Sequence, residues 1–318
     1  MATSPRLQSR EAMQADMDNL VASSSWNGSI WAPFQSQYVP RADLLYNRTV
    51  LLMGDSTVRF LFEQRPWAGG GGWKDHAFEC DASRGIGCAD CVLKCTGAAP
   101  KKLAWSDWIG TRTATKTHVW MSYKPQLWTE ADALALSSRF CDTPPNLLVV
   151  AKGLHDACFT PCGLPDYGPD HHWRSKTYHR DNCTAANYGA WAERQLRTLA
   201  KALSCLPPPP RTLVLLRTPL AADPTSRRSR HGARDCVDVS RQVDWLRETA
   251  RVMRALHSEG VFGDAMLLDA NAITSAALRE PRAPKTMDGH HYPPVMNQLQ
   301  ARLFEWALER AEFGVVPG

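Results

Sequence analysis

Five short apolar runs constrain the fold of this chain more than any other feature of its sequence. They are Thr49–Met53, Thr117–Met121, Leu147–Val150, Thr212–Leu216 and Ala265–Asp269. Runs this short and nearly continuous in apolar character are typical of strands buried on both faces, and parallel sheets contain such strands. The pattern therefore predicts a mainly parallel sheet.

Helical patterns lie between and after the later runs. Asn187–Leu203, Val239–Leu256 and Met296–Phe313 each place apolar residues close to one face of a helix. Strands that alternate with helices predict an α/β fold, here a three-layer α/β/α sandwich. We assign residues 49–318 to this domain and expect residues 1–48, which are mostly polar, to form an irregular N-terminal segment. No apolar run approaches the roughly 18 residues of a membrane-spanning helix.

Charge argues against one class of partner. The chain has 318 residues, and its 37 basic and 32 acidic side chains give a net charge of +5. This excess is too small to indicate nucleic-acid binding, and no predicted helix carries a basic stripe. We therefore expect no nucleic-acid partner.

Cysteines and glycosylation sequons favour the secretory lumen. The chain has 10 cysteines, an even number that suits disulfides, and Asn-x-Ser/Thr sequons begin at Asn27, Asn47 and Asn182. Against this, the first residues are polar and lack the apolar core of a signal peptide. Either the chain is lumenal, with a membrane anchor outside it, or it is cytosolic. We favour the lumenal interpretation.

A cysteine cluster leaves two structural interpretations open. Cys88 and Cys91 form a Cys-x-x-Cys motif that could bind zinc, with His76 or Cys95 among the remaining ligands. Zinc sites usually contain a second, distant pair at similar spacing, and the sequence has none. A disulfide-linked loop is the favoured interpretation, so we predict no metal site.

The end of the first apolar run carries the main candidate for chemistry. Gly54, Asp55 and Ser56 follow the predicted strand directly, and the next residues look like the start of a helix. The carboxyl ends of parallel strands form the ligand-binding crevice of open α/β sheets. A serine at this position lies among free backbone N–H groups that stabilise an oxyanion, so Ser56 is a candidate nucleophile.

A candidate base lies near the other end of the chain. Asp288 and His291 form an Asp-x-x-His motif between the last strand and the last helix, and His290 is an adjacent competitor. Gly289 lets this loop fold back so that the carboxylate orients the imidazole, which leaves Nε2 free to accept the serine proton. Each motif alone occurs often by chance. Their order and their positions after strands favour a Ser56–His291–Asp288 triad.

These motifs resemble a known family. Gly54-Asp55-Ser56 with Arg59, and Asp288 with His291 and Pro293, are similar to the first and last blocks of the PC-esterase group of the SGNH/GDSL-like superfamily. This group includes the trichome-birefringence-like polysaccharide O-acetyltransferases. Two further segments, Val149–Asp156 and Arg217–Pro219, are similar to the middle blocks of the family, and Trp26–Tyr38 weakly resembles the stretch before the first block. The likeness therefore covers roughly residues 26–313.

The resemblance implies an SGNH-hydrolase-like fold and the activity of an O-acetyltransferase, and it makes the Golgi lumen the expected compartment. The acyl donor would be acetyl-CoA or an acetyl ester, the acceptor would be a glycan or polysaccharide, and no bound cofactor is expected. Asp55, Arg59, Gly153 and His155 are the expected oxyanion or substrate residues. Arg59 could instead pair with a carboxylate, and His155 could belong to a capping turn.

Two other functions fit the same sequence. A carbohydrate acetylesterase would use the same triad with water as the acceptor, and a non-catalytic module would only bind glycans. Many family members have Asn where this chain has Ala151, and the cysteine-rich N-terminal domain of the plant enzymes is not recognisable. These departures keep the binding module open.

Overall fold

The computed structural model describes most of the chain. Several internal segments and both ends of the chain lie outside the described residues. For residues 73–79, 106–112, 117–123 and 239–241 the structure describes the backbone only. The described residues are 9–55, 57–58, 61–62, 73–79, 106–112, 117–123, 141, 143–153, 184–225, 239–287 and 289–314.

The described part of the chain contains a seven-stranded mixed sheet and a two-stranded hairpin. The hairpin strands are β1 (Ser25–Asn27) and β2 (Ile30–Ala32). The sheet strands are β3 (Thr49–Gly54), β4 (Trp73–Glu79), β5 (Ser106–Arg112), β6 (Thr117–Tyr123), β7 (Leu147–Ala151), β8 (Leu213–Arg217) and β9 (Met266–Leu268).

The sheet is parallel over most of its width. Its strand order is β4-β5-β6-β3-β7-β8-β9, and the five strands from β6 to β9 all run in the same direction. Each of the five predicted apolar runs lies on one of these strands, which confirms the prediction of a mainly parallel sheet. β4 and β5 add an antiparallel extension that the sequence did not predict. Their mixed sequences lack the apolar continuity of a strand buried on both faces.

Helices cover both faces of β3, β7, β8 and β9. They are α1 (Arg10–Ser23), α2 (Phe34–Gln37), α3 (Ala185–Leu203), α4 (Val239–Ser258), α5 (Ala270–Arg279) and α6 (Pro294–Phe313). Val50 and Leu52 of β3 share one core with residues of α1, α5 and α6. Leu51 and Met53, which point to the opposite face, pack with α3 and α4. The chain therefore has an α/β fold, and α3, α4 and α6 confirm the three predicted helices.

The N-terminal segment is more regular than predicted, so the expectation that residues 1–48 are irregular is wrong for the described part of that segment. Ser9 caps α1, because its Oγ accepts a hydrogen bond from the Ala12 amide at 3.3 Å. Met13 and Met17 of α1 are buried in the main core. A helix that buries only two positions has too weak an apolar period to be recognised in the sequence.

A glutamine on α1 docks the helix against the edge strand of the sheet. Gln14 accepts a hydrogen bond from the Leu267 amide at 2.7 Å and donates to the Leu267 carbonyl at 3.0 Å. The side chain thus satisfies backbone groups on β9, the last strand in the sheet order. Because this contact is polar, hydrophobic patterning alone does not reveal it.

One disulfide lies in the described part of the chain. Cys141 pairs with Cys205, with a Cα–Cα distance of 5.7 Å, and links the segment before β7 to the end of α3. The Cys88–Cys91 motif lies outside the described residues. None of the described helices has the length and apolar character that crossing a membrane requires.

We predict that Gly54→Ala destabilises the fold by at least about 2 kcal/mol. A Cβ atom on Gly54 would lie 2.2 Å from the Ala151 carbonyl oxygen, and the Gly54 φ of +156° is unfavourable for other residues. The free energy of unfolding in urea measures the effect.

Gly260→Ala is the matched control. Its φ is +74°, but an added Cβ would meet no atom within 4 Å. Only conformational strain of about 1 kcal/mol should appear there. Equal losses in the two variants would contradict the close approach of β3 and β7.

Candidate active site at the carboxyl edge of the sheet

The order of the strands reverses between β3 and β7. From β3 the chain continues to β4, β5 and β6 on one side, then crosses to β7 on the other side and proceeds outward through β8 to β9. Ligands of open α/β sheets bind where the strand order reverses in this way, beyond the carboxyl ends of the strands. Here those ends are Gly54 of β3 and Ala151 of β7.

Two glycines let the strand ends approach each other closely. Gly54 packs against the Ala151 carbonyl, as described above. Gly153, two residues beyond the end of β7, has a φ of +133°, and a Cβ there would lie 2.8 Å from Pro219 Cβ. Gly153 was predicted as an oxyanion or substrate residue. The structure places it at the predicted edge, where its lack of a side chain allows close contact with the segment after β8.

Asp55 organises the turn that follows β3. Its Oδ1 accepts hydrogen bonds from the Thr57 amide at 2.9 Å and the Thr57 hydroxyl at 2.7 Å. Its carbonyl accepts from the Val58 amide at 3.0 Å. Thr57 and Val58 are helical, and Asp55 is buried. The carboxylate therefore caps the start of a helical turn, as short polar side chains commonly do.

A buried arginine connects this turn to the last helix. Arg217, the final residue of β8, is only 1% exposed. Its guanidinium donates to the Thr57 hydroxyl and, at 2.6 Å, to Oε1 of Gln300 on α6. Burial lowers the pKa of Arg217 to about 10, and the negative charge of Asp55 opposes that shift. We call Asp55, Thr57, Arg217 and Gln300 the Arg217 network.

The loop that carries His291 is tied to the segment after β8. The Asp223 amide donates to the Gly289 carbonyl at 2.8 Å, and the Met287 amide donates to the His291 carbonyl at 2.7 Å. The Tyr292 hydroxyl donates to the Ala221 carbonyl at 2.9 Å. Because Ala221 and Asp223 follow the carboxyl end of β8, these bonds bring the loop to the same edge of the sheet as Gly54.

His291 itself is partly exposed. The ring of His290 stands roughly perpendicular to it, with the two ring centroids 6.2 Å apart. Both candidate imidazoles therefore belong to one loop at the predicted edge.

The described residues include part of the predicted site. Asp55, Gly153 and His291 lie at one edge of the sheet. Ser56, Arg59, His155 and Asp288 lie outside the described residues, so their roles stay predictions. Within the part of the chain that the structure describes, no three His, Cys, Asp or Glu side chains group as metal ligands.

Sequence analysis missed the roles of Thr57, Arg217 and Gln300. Arg217 ends an otherwise apolar strand, and a charged residue in that position was the available signal. Its partners lie far away in sequence, so spacing could not identify them.

We predict that Tyr292→Phe loosens the His291 loop. The change removes the hydrogen bond to the Ala221 carbonyl while it retains the buried ring, and should cost about 1 kcal/mol of stability. Urea unfolding measures the loss, and amide exchange at Asp223 should accelerate because that amide bonds to the same loop.

Tyr46→Phe is the control, because the Tyr46 side chain is 52% exposed. It should change neither stability nor exchange at Asp223. If Tyr292→Phe matches this control in both measurements, the tyrosine does not fasten the loop.

Two comparisons with known proteins found no match. No protein-family model matches the chain, and no curated protein matches it. Membership of the family that the two end motifs resemble therefore stays a prediction, and function is inferred from the residues at the carboxyl edge of the sheet.

Proposed function

We propose that the chain is an O-acyltransferase that moves an acetyl group to a hydroxyl of a glycan through Ser56, His291 and Asp288. One observation carries the proposal. The loop with His291 is bonded to the segment after β8, at the edge where β3 ends beside β7. Asp55, the residue that directly precedes Ser56 in the chain, lies at that same edge.

The mechanism proceeds in two transfers. In the first, His291 accepts the Ser56 proton as the hydroxyl oxygen attacks the acetyl carbonyl, and Asp288 orients the imidazole. The bond to the donor's leaving group breaks, and His291 returns the proton to that group. In the second, His291 accepts a proton from a sugar hydroxyl, whose oxygen attacks the acetyl-enzyme carbonyl. The ester bond to Ser56 breaks, and His291 returns that proton to the Ser56 oxygen.

The oxyanion of each tetrahedral intermediate needs hydrogen-bond donors. The Asp55 carboxylate already accepts hydrogen bonds from Thr57. Asp55 would therefore stabilise the oxyanion through its backbone N–H. Gly153 would likewise contribute a backbone N–H, with Arg59 and His155 as the predicted side-chain donors. The donor is acetyl-CoA or an acetyl ester, and neither transfer requires a bound cofactor.

Two coarser features are consistent with this function. A parallel sheet with helices on both faces and a reversal of strand order beside its central strand suits an SGNH-hydrolase-like sandwich. The Cys141–Cys205 disulfide suits an oxidising compartment such as the Golgi lumen, where glycans are modified.

We predict that Ser56→Ala abolishes acetyl transfer. The full chain is incubated with an activated acetyl ester, with and without oligosaccharide, and mass spectrometry follows acetylated sugar and free acetate. The parent chain should form acetylated sugar, whereas Ser56→Ala should form none above background because the nucleophile is missing.

Ser258→Ala is the matched control, since Ser258 is exposed at the end of α4, away from the candidate site. It should retain transfer. Release of acetate without any acetylated sugar would favour the esterase, and turnover by Ser56→Ala would contradict the proposed nucleophile. Sugar binding by an inert parent chain would favour the glycan-binding module.

A further inference from the structure

We propose that the Arg217 network is a positioning device that holds the Asp55–Thr57 turn in register with the segment carrying His291. This inference rests on the proposed function and adds a role for Arg217, Thr57 and Gln300. None of these residues needs to touch substrate. They act by fixing the backbone that carries the residues expected to react.

The network connects the two segments through a single guanidinium. On one side Arg217 donates to the Thr57 hydroxyl, which in turn donates to Asp55. On the other side it donates to Gln300, which lies in the second turn of α6. Since α6 begins at Pro294, three residues after His291, the position of α6 determines where the His291 loop ends.

The α6 end of the network is itself fixed. The Gln300 amide donates to Asn297 Oδ1 at 3.2 Å and to the Met296 carbonyl at 3.4 Å. Gln300 and Asn297 are 3% and 2% exposed. These contacts orient the carboxamide so that its oxygen faces Arg217. The arginine therefore meets a prearranged acceptor in the first turns of the helix.

The other end is equally constrained. Thr57 is 5% exposed, and its amide and hydroxyl both donate to the same oxygen of Asp55. With that proton committed to Asp55, the Thr57 oxygen is available to accept from Arg217. Asp55, a buried carboxylate, also supplies the negative charge that offsets the buried cation. Asp55 and Thr57 are the two chain neighbours of Ser56, the proposed nucleophile, so the network acts on the chain on both sides of it.

Small displacements at such a point have large effects on a reaction. A misplacement of about 1 Å far from the chemistry can reduce a rate by about 100-fold. A network that only stabilised the fold would affect the free energy of unfolding and leave turnover per folded molecule unchanged. A positioning network should instead lower kcat while KM changes little, because the substrate contacts are not part of it.

Thr57 offers the cleanest test, because its hydroxyl can be removed with almost no change in shape. Thr57→Val deletes the acceptor for Arg217 and the donor to Asp55, whereas Thr57→Ser retains both. Steady-state kinetics of the full chain with an activated acetyl ester and an oligosaccharide give kcat and KM for each variant. Thermal unfolding shows that each variant is folded at the assay temperature.

Thr249→Val is the control for loss of a buried hydroxyl. Thr249 is 4% exposed, and its hydroxyl contacts the Tyr188 hydroxyl at 3.2 Å and the Trp245 carbonyl at 3.0 Å. It lies between α3 and α4, on the face of the sheet opposite α6. We therefore expect Thr249→Val to lose about as much thermal stability as Thr57→Val, without an effect on the proposed site.

The inference predicts that Thr57→Val lowers kcat by 10-fold to about 100-fold at nearly unchanged KM. Thr57→Ser should retain most of kcat, and Thr249→Val should match the parent chain. An active parent whose kcat is unchanged in Thr57→Val would overturn this inference alone. So would a loss of kcat in Thr249→Val as large as that in Thr57→Val. A parent chain without turnover would overturn the proposed function, and this inference with it.

Discussion

The candidate site depends on the hydrogen bonds and the charge compensation of one buried cation, the guanidinium of Arg217. A cation removed from water is costly unless hydrogen bonds and an opposite charge compensate it. Here Thr57 and Gln300 accept from the guanidinium, and the Asp55 charge counteracts the fall in pKa that burial causes. Because the cation tolerates few alternative arrangements, the segments that supply its partners are fixed relative to β8.

Buried polar groups need hydrogen-bond partners, and this need also applies to the polar residues of α6. This helix is buried on almost every side, including polar residues that a surface helix would expose. Gln300 serves Arg217, and Glu309 accepts a hydrogen bond from the Tyr38 hydroxyl at 2.9 Å. Burial and this contact raise the pKa of Tyr38. These two hydrogen bonds link α6 to β8 and to the N-terminal segment, and the helix begins directly after the His291 loop.

The sequence predicts those parts of the fold that depend on burial alone. Five strands were recognisable as nearly continuous apolar runs. In β3, β7, β8 and β9 the residues of these runs are buried on both faces of the sheet, as the run of β7 illustrates. The helix α1 was not recognisable, because it docks through two methionines and the polar contacts of Gln14. At the site, the placement of the His291 loop near the carboxyl edge followed from chain order. The Arg217 network did not, because its hydrogen bonds join residues separated by 83 and 160 positions.

Covalent labelling of the serine tests most directly whether the two ends of the chain meet in one reactive site. The full chain is treated with a fluorophosphonate, and the modified peptide is identified by mass spectrometry. The account predicts labelling at Ser56 that is lost in His291→Ala and retained in His290→Ala, because only one imidazole activates the hydroxyl. Labelling at Ser56 that persists in His291→Ala, or no labelling of Ser56 in the parent chain, would contradict it.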